Sequence, residues 1–280
     1  MKSLCYLNGM ILPPNEARID PYDRGFLFGD SLYEVVKVLQ GTLIHLDAHL
    51  DRLRRGLHRA EIPLPEDLGS VCRRLLEAID LGSGYLYLQI TRGVAPRDHI
   101  PEVTIEPTVV ILPFEQDFDP PASRLLRAVT VPDWRWEFRD IKTTSLMATV
   151  LGKLRARQGS VDEVIFVGPD GELREGGSTN VFAYRAGGWE THPTDGGILE
   201  GVTRSAVLTL AQEMGVKVEE RAPRIEELDQ WQEAFLCGTT TGVQPLVELD
   251  GRRVAGGTVG KETARLARAF DRFERRALGV

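Results

Sequence analysis

Cysteine is scarce in this chain: Cys5, Cys72 and Cys237 are the only three in 280 residues, far apart and without a CxxC pair. An odd, dispersed set offers neither a disulfide framework nor a cysteine zinc site, and it fits a reducing cytoplasm. The five histidines are scattered without metal-ligand spacing, so no metal is expected. No apolar run approaches the roughly 18 residues that a membrane-spanning helix needs. Met1 to Gly9 lacks a continuous apolar stretch, so no signal peptide is expected. Positive charge is also in deficit, with 34 Lys and Arg against 41 Asp and Glu, a net charge of −7. That balance argues against nucleic acid or an anionic membrane as partner, and Arg52-Leu53-Arg54-Arg55 is too short to reverse it. What remains is ordinary: 42% hydrophobic and 27% charged residues describe a globular protein, long enough for two domains.

The pattern predicts an α+β first domain with a largely antiparallel sheet. Leu4 to Leu7 reads as a strand closed by an Asn8-Gly9 turn. Ser31 to Leu39 alternates as a strand, and Gln40-Gly41 turns it into Thr42 to Leu46. His45 to Arg59 and Leu68 to Ile79 have helical periodicity, and Tyr85 to Thr91 alternates again. A strand-like Thr108 to Leu112 then runs into Pro113 to Pro121, rich in proline and acid, which marks a boundary. Residues 1–118 are expected to form the first domain, 119–124 a linker and 125–280 the second domain. In the second, Ala128 to Val131, Glu163 to Val167, Asn180 to Tyr184, Trp189 to Thr191 and Ala234 to Cys237 read as strands. Helices are expected over Thr144 to Gln158, Thr203 to Met214 and Glu262 to Arg275.

Lysine is scarcer than arginine: only Lys2, Lys37, Lys142, Lys153, Lys217 and Lys261 occur. Lys2 is terminal, Lys37 and Lys217 fall in alternating patterns, and Lys153 and Lys261 sit on amphipathic helices where a solvated charge is expected. Lys142 stands apart. It follows an aromatic patch, Trp134, Trp136 and Phe138, and immediately precedes a helical run. Apolar rings and a helix N-terminus both disfavour an ammonium charge, the setting that a Schiff-base lysine needs.

Two segments have the makings of an anion site. Gly201-Val202-Thr203-Arg204 lies where a loop turns into a helix and leaves backbone N–H groups free. Gly238-Thr239-Thr240-Thr241-Gly242 offers hydroxyls on a glycine-flanked backbone, and Arg52 is a candidate bidentate charge. The same residues also read as a plain helix cap and a polar loop. Neither segment is a Walker or dinucleotide fingerprint, so a nucleotide has no support. Glu175, in Arg174-Glu175-Gly176-Gly177-Ser178-Thr179-Asn180, opens a strand after a small-residue turn. It reads either as an acid for a protonated pyridine nitrogen or as a solvated edge carboxylate.

These segments recur together, in order, over nearly the whole chain. They run from Asp23-Arg24-Gly25 through Tyr33-Glu34-Val35 and His49-Leu50-Asp51-Arg52 to Thr91-Arg92-Gly93. Asp140-Ile141-Lys142, Glu175-Gly176, Ile198-Leu199-Glu200-Gly201-Val202-Thr203-Arg204 and Gly238-Thr239-Thr240 follow. In that arrangement the chain resembles the class IV, or fold-type IV, pyridoxal-phosphate aminotransferases. The resemblance implies a smaller α/β sandwich domain at the N-terminus. It also implies a larger C-terminal domain with a barrel-like sheet and flanking helices, pyridoxal 5′-phosphate as cofactor and a homodimer in the cytoplasm. By resemblance Lys142 carries the cofactor and Glu175 partners its pyridine nitrogen. Leu199 packs on the ring, and Arg52, Val202, Thr203 and Thr239 hold the phosphate.

Within that family the chain is similar to the D-amino-acid aminotransferases, on the strength of Arg97 and His99 in Thr91 to Pro101. Residues two apart in an extended loop face the same way, and a guanidinium beside an imidazole suits a carboxylate. The resemblance has the pair reaching in from the neighbouring subunit, with Tyr33 completing the carboxylate trap and Thr240 lining the substrate site. It implies transfer of an amino group between D-amino acids and 2-oxo acids. Aminodeoxychorismate lyase and L-branched-chain or (R)-amine transaminases are the alternatives on the same fold. Gly177 departs from the pattern, which commonly has serine there.

Overall fold

The computed structural model describes residues 4–65, 67–101 and 105–279; Lys2 lies outside them. The chain divides into two compact units. The first comprises Met1–Phe118, Ile141–Ser145 and Ala277–Val280, and the second Asp119–Asp140 and Leu146–Arg276.

In the first unit, β1 (Cys5–Leu7) and β2 (Met10–Leu12) form a hairpin, followed by a short helix, α1 (Arg24–Phe28). Next come β3 (Ser31–Leu39), β4 (Thr42–Leu43), α2 (Leu46–Arg59), α3 (Leu68–Ala78), β5 (Ser83–Thr91) and β6 (Thr108–Glu115). The sheet order is β2-β1-β6-β5-β3-β4, and every pairing is antiparallel. Both hairpin turns use left-handed residue pairs, Asn8-Gly9 (φ 45° and 94°) and Gln40-Gly41 (φ 47° and 72°), which match the twist of the strands they join. Along β3 the even positions Leu32, Glu34, Val36 and Val38 are all buried. Leu46, Leu50, Leu53 and Leu57 of α2 and Leu68, Val71, Cys72 and Leu75 of α3 join them in one apolar core. Period 2 meeting period 3.6 builds this layer, with Glu34 a charge set among hydrocarbon.

Two boundaries differ from expectation. β6 continues through Pro113 to Glu115, with Pro113 paired to Leu86. The prolyl nitrogen is tolerated because the β1 ladder ends at Ile111, leaving β5 as the partner beyond it. Ile141–Ser145 belongs to the first unit rather than to residues 125–280 as a block. Its backbone fills the side of β3 that β4 does not reach. The Tyr33 N–H donates to the Lys142 carbonyl (3.0 Å), and the Thr144 N–H donates to that of Ser31 (3.1 Å). Backbone groups of a buried strand require such partners, and five residues supply them.

The second unit contains β7 (Leu126–Pro132), α4 (Met147–Gln158), β8 (Glu163–Val167), β9 (Leu173–Gly176) and β10 (Asn180–Arg185). β11 (Gly188–Thr191), α5 (Val202–Glu213), β12 (Val218–Glu219), β13 (Glu233–Gly238), β14 (Gly242–Leu249), β15 (Arg252–Arg253) and α6 (Lys261–Arg276) complete it. The path β10-β13-β14-β7-β8-β9 returns to β10 through one pair, Asn180 opposite Glu175, so six strands close on themselves. Leu126, Ile165, Leu173, Val181, Leu236 and Leu246 share an apolar core, and α5 and α6 cover Phe182, Trp189 and Phe235. α4 begins at Met147, not Thr144, with Leu146 as a cap that makes no side-chain hydrogen bond. Among the described residues no helix is long and apolar enough to cross a membrane.

Candidate functional site

In the first unit the Lys142 Nζ sits 4.1 Å from the centroid of the Tyr33 ring, within the range of cation–ring attraction. Tyr33 stacks in turn on Tyr87 at 5.4 Å. Behind this pair lies a buried ionic group. Glu34, fully buried, accepts hydrogen bonds from Arg52 Nε (2.7 Å) and Nη2 (2.9 Å) and faces His49 Nδ1 at 2.8 Å. Burial alone would push the Glu34 carboxyl up, but the Arg52 guanidinium and His49 together hold it down to about 2. Burial also keeps His49 below its ordinary value, and the Glu34 contact only partly offsets this. The Nε and Nη2 atoms of Arg52, the expected phosphate ligand, are therefore turned to Glu34.

Arg97 and His99 lie on an exposed loop with an anchored backbone. Arg24 donates to the carbonyl oxygens of Asp98 (2.5 Å) and His99 (2.9 Å), and its Nε reaches Asp30 at 2.8 Å. Both side chains meet one ring: the Arg97 guanidinium is 5.4 Å and the His99 ring 5.6 Å from the centroid of Phe28.

In the second unit Glu175 is the penultimate residue of β9 rather than the opening of a strand. It is 6% exposed. Its Oε1 accepts from Arg135 Nη1 (2.5 Å), and its Oε2 from the Leu199 N–H (3.0 Å) and Asn180 Nδ2 (3.4 Å). Arg135 is itself clamped by Asp133, through Nε (2.9 Å) and Nη2 (3.0 Å). Asp133 also takes Arg174 Nη1 and pairs with Arg139 Nε, each at 2.9 Å. Burial pushes the Asp133 carboxyl up, and the Arg135 and Arg174 guanidinia more than reverse it. The sequence alone assigns no role to Asp133, Arg135 or Asn180. Asp133 and Arg135 carried a faint signal, two opposite charges two apart beyond a strand end. Asn180 stood in plain view, five residues after Glu175.

Val202 and Thr203 begin α5 behind Gly201, whose extended backbone provides no side-chain cap, so the first N–H groups of α5 lack an intrahelical partner. Gly201 is required: a Cβ there would overlap Asn180 Oδ1. Thr239 and Thr240 lie in the turn between β13 and β14. A Cβ on the preceding Gly238 would come 2.9 Å from the Ser178 carbonyl oxygen. Asn180 and Ser178 thus tie the Glu175 strand, the start of α5 and the threonine turn into one place within this unit. Gly177 has its own reason, since a Cβ there would come 2.6 Å from Lys153 Cε. Lys153, read as a solvated charge, pairs instead with the buried Glu163 at 2.5 Å.

The sequence pattern of the class IV amino-transferases matches residues 31–249. The chain belongs to that family. It is 34% identical over 276 residues to the D-alanine aminotransferase of Staphylococcus haemolyticus, spanning 96% of each chain. With that of Bacillus licheniformis it shares 35% over 267 residues, 94% of each. In fold it is similar to the branched-chain amino acid aminotransferase of Escherichia coli, with TM-score 0.90, 23% identity, and 98% of this chain and 95% of that one covered. The T.th. branched-chain amino acid aminotransferase with pyridoxamine 5′-phosphate gives TM-score 0.89 at 21% identity, covering 100% of this chain and 95% of that one.

Proposed function

We propose that this chain is a pyridoxal-phosphate-dependent D-amino-acid:2-oxoacid aminotransferase that works as a cytoplasmic homodimer. One observation carries the D-specific part: Arg97 and His99 share the Phe28 ring on an anchored loop. The full-length relatives at 34% and 35% identity are named D-alanine aminotransferases, in keeping with it. The residues fit the cofactor. Lys142 offers a primary amine, and Glu175 offers a buried carboxylate with Arg135 at hydrogen-bond distance. The α5 N-terminus with Thr203, Thr239 and Thr240 has donors suited to a phosphate dianion. Bound pyridoxal phosphate supplies an electron sink for the pair left when the Cα–H bond of the substrate breaks.

The chain's own groups then have distinct tasks. Lys142 would hold the cofactor, and its amine, once free, would take the proton from the substrate's Cα as base and deliver it as acid to the carbon on the cofactor side of the nitrogen. Glu175 keeps a proton on the ring nitrogen. Tyr33, Arg97 and His99 fix the α-carboxylate, which decides which face of Cα meets Lys142 and hence which enantiomer reacts. For the dimer, Met147, Val150, Leu151 and Leu154 form an exposed apolar stripe on α4, a surface that a second copy would cover. The cysteines are all free and buried, in keeping with a reducing compartment.

The test is incubation of purified protein with D-alanine and 2-oxoglutarate. Pyruvate and D-glutamate are expected. No D-glutamate, with pyruvate released from aminodeoxychorismate instead, would make the chain a lyase; amino transfer from L-leucine alone would make it a branched-chain enzyme.

A further inference from the structure

Arg135 divides its guanidinium between two carboxylates. Nε and Nη2 go to Asp133, and Nη1 goes to Glu175. Asp133, with a side chain 1% exposed, spreads one negative charge over Arg135, Arg139 and Arg174. Arg174 is further matched by Glu172 at 3.2 Å. From other elements Glu175 also accepts hydrogen bonds from two neutral donors, the Asn180 amide on β10 and the Leu199 N–H. The charge reaching Glu175 along this line is thus that of Arg135, reduced by whatever Asp133 cancels.

We propose that Asp133 and Arg135 are positioning residues that set how tightly Glu175 holds a proton on the cofactor's ring nitrogen. Arg135 fixes the carboxylate's orientation but, as a cation behind it, weakens its hold on a protonated ring. Asp133 tempers that cation and restores the hold. The inference rests on reading Glu175 as the ring nitrogen's partner. No proton is exchanged along the chain of groups; it stays on the nitrogen, and only its affinity changes.

The two residues therefore act with opposite sign, which a merely structural role would not produce. Removing a unit charge a few ångströms away shifts a protonation midpoint by about one pH unit or more. The experiment is a pH titration of holoenzyme loaded with ring-15N pyridoxal phosphate, followed by the ring nitrogen's NMR shift. Relative to the unchanged protein, Arg135→Met should lose the ring proton at higher pH and Asp133→Asn at lower pH, each by about one unit. A midpoint for Asp133→Asn at or above that of the unchanged protein, or for Arg135→Met below it, overturns the proposal. A second measurement stands if Asp133→Asn does not fold. Arg135→Met should alter the single-turnover rate with D-alanine when the native cofactor is loaded, and leave it unchanged when the ring nitrogen is replaced by carbon. An equal loss with both cofactors overturns the proposal. Glu175→Gln separates the layers: an unmoved ring-nitrogen signal there means that Glu175 is not the partner at all.

Discussion

Lys142 and Tyr33 are joined twice, by the Tyr33 N–H on the Lys142 carbonyl at 3.0 Å and by the Lys142 amine 4.1 Å from the Tyr33 ring centroid. The first contact is backbone and is kept by any residue at position 33 except proline; the second depends on the ring. Tyr33→Phe keeps the face over which the amine lies and loses only the hydroxyl. It should raise KM for D-alanine by roughly tenfold, the loss of one hydrogen bond to a charged group, while kcat changes little. Tyr33→Leu should lower kcat as well. Steady-state kinetics of the two variants decide this, and equal kcat in both would show that the ring does not seat the amine.

Arg97→Ala should weaken every α-carboxylate substrate, with KM rising by about one to two orders of magnitude and stability unchanged. The loop backbone is anchored by Arg24 rather than by Arg97. Circular dichroism and a D-amino-acid panel test both halves, and unchanged KM places the carboxylate contact elsewhere.

Glu34 predicts an acid limb of stability. Its folded carboxyl is held to about 2, below the ordinary value of 4.5. A depressed carboxylate contributes stability above its unfolded value and loses it as pH falls toward the folded one. A depression of that size corresponds to about 3 kcal/mol. His49 is also depressed, so it begins to erode stability as pH falls below 6.5. Denaturant midpoints should fall from near pH 6.5 down to about 2, with the steepest loss below 4.5. Glu34→Gln should cost about 3 kcal/mol at neutral pH and flatten the lower part of the profile.

Gly177→Ser tests close packing. The new Cβ meets Lys153 Cε, the far end of a flexible and partly exposed side chain that can swing aside, so the cost should be about 1 kcal/mol, the low end for overpacking. Lys153→Ala removes the obstacle, so the double variant should be more stable than the sum of the two single losses predicts. Strict additivity in chemical denaturation would mean that the two positions do not press on one another.

The regular elements were legible where a hydrophobic pattern stops at a turn residue. Ser31–Leu39 and Glu163–Val167 carry their bounds in the sequence, because alternation or a continuous apolar run ends at a turn residue. Pro113 hid the end of β6, since proline reads as a stop unless one knows that the strand has lost a neighbour. β14, with Pro245 inside it, was hidden in the same way. At the candidate site the conspicuous residue types, Lys142 and Glu175, stood out, whereas Asp133, Arg135 and Asn180 did not. Their meaning comes from closure of the second sheet, which brings positions 133, 135, 175, 180 and 199 together. No local spacing encodes that. The clustering of Ile141–Ser145 with the first unit is non-local in the same sense.

That closure has a consequence for how the molecule tolerates change. The last seam of the six-stranded ring is a single residue pair, Asn180 opposite Glu175. Asn180 spends its amide on Glu175 and on the Leu199 carbonyl, and its oxygen lies against Gly201. Drift at position 180 therefore strikes the stitching of the ring and the acid beside it in the same event, and few substitutions can be neutral for one alone. Adaptation to new substrates has more room on the Arg97 loop, whose side chains are exposed and whose backbone is secured by a residue other than themselves.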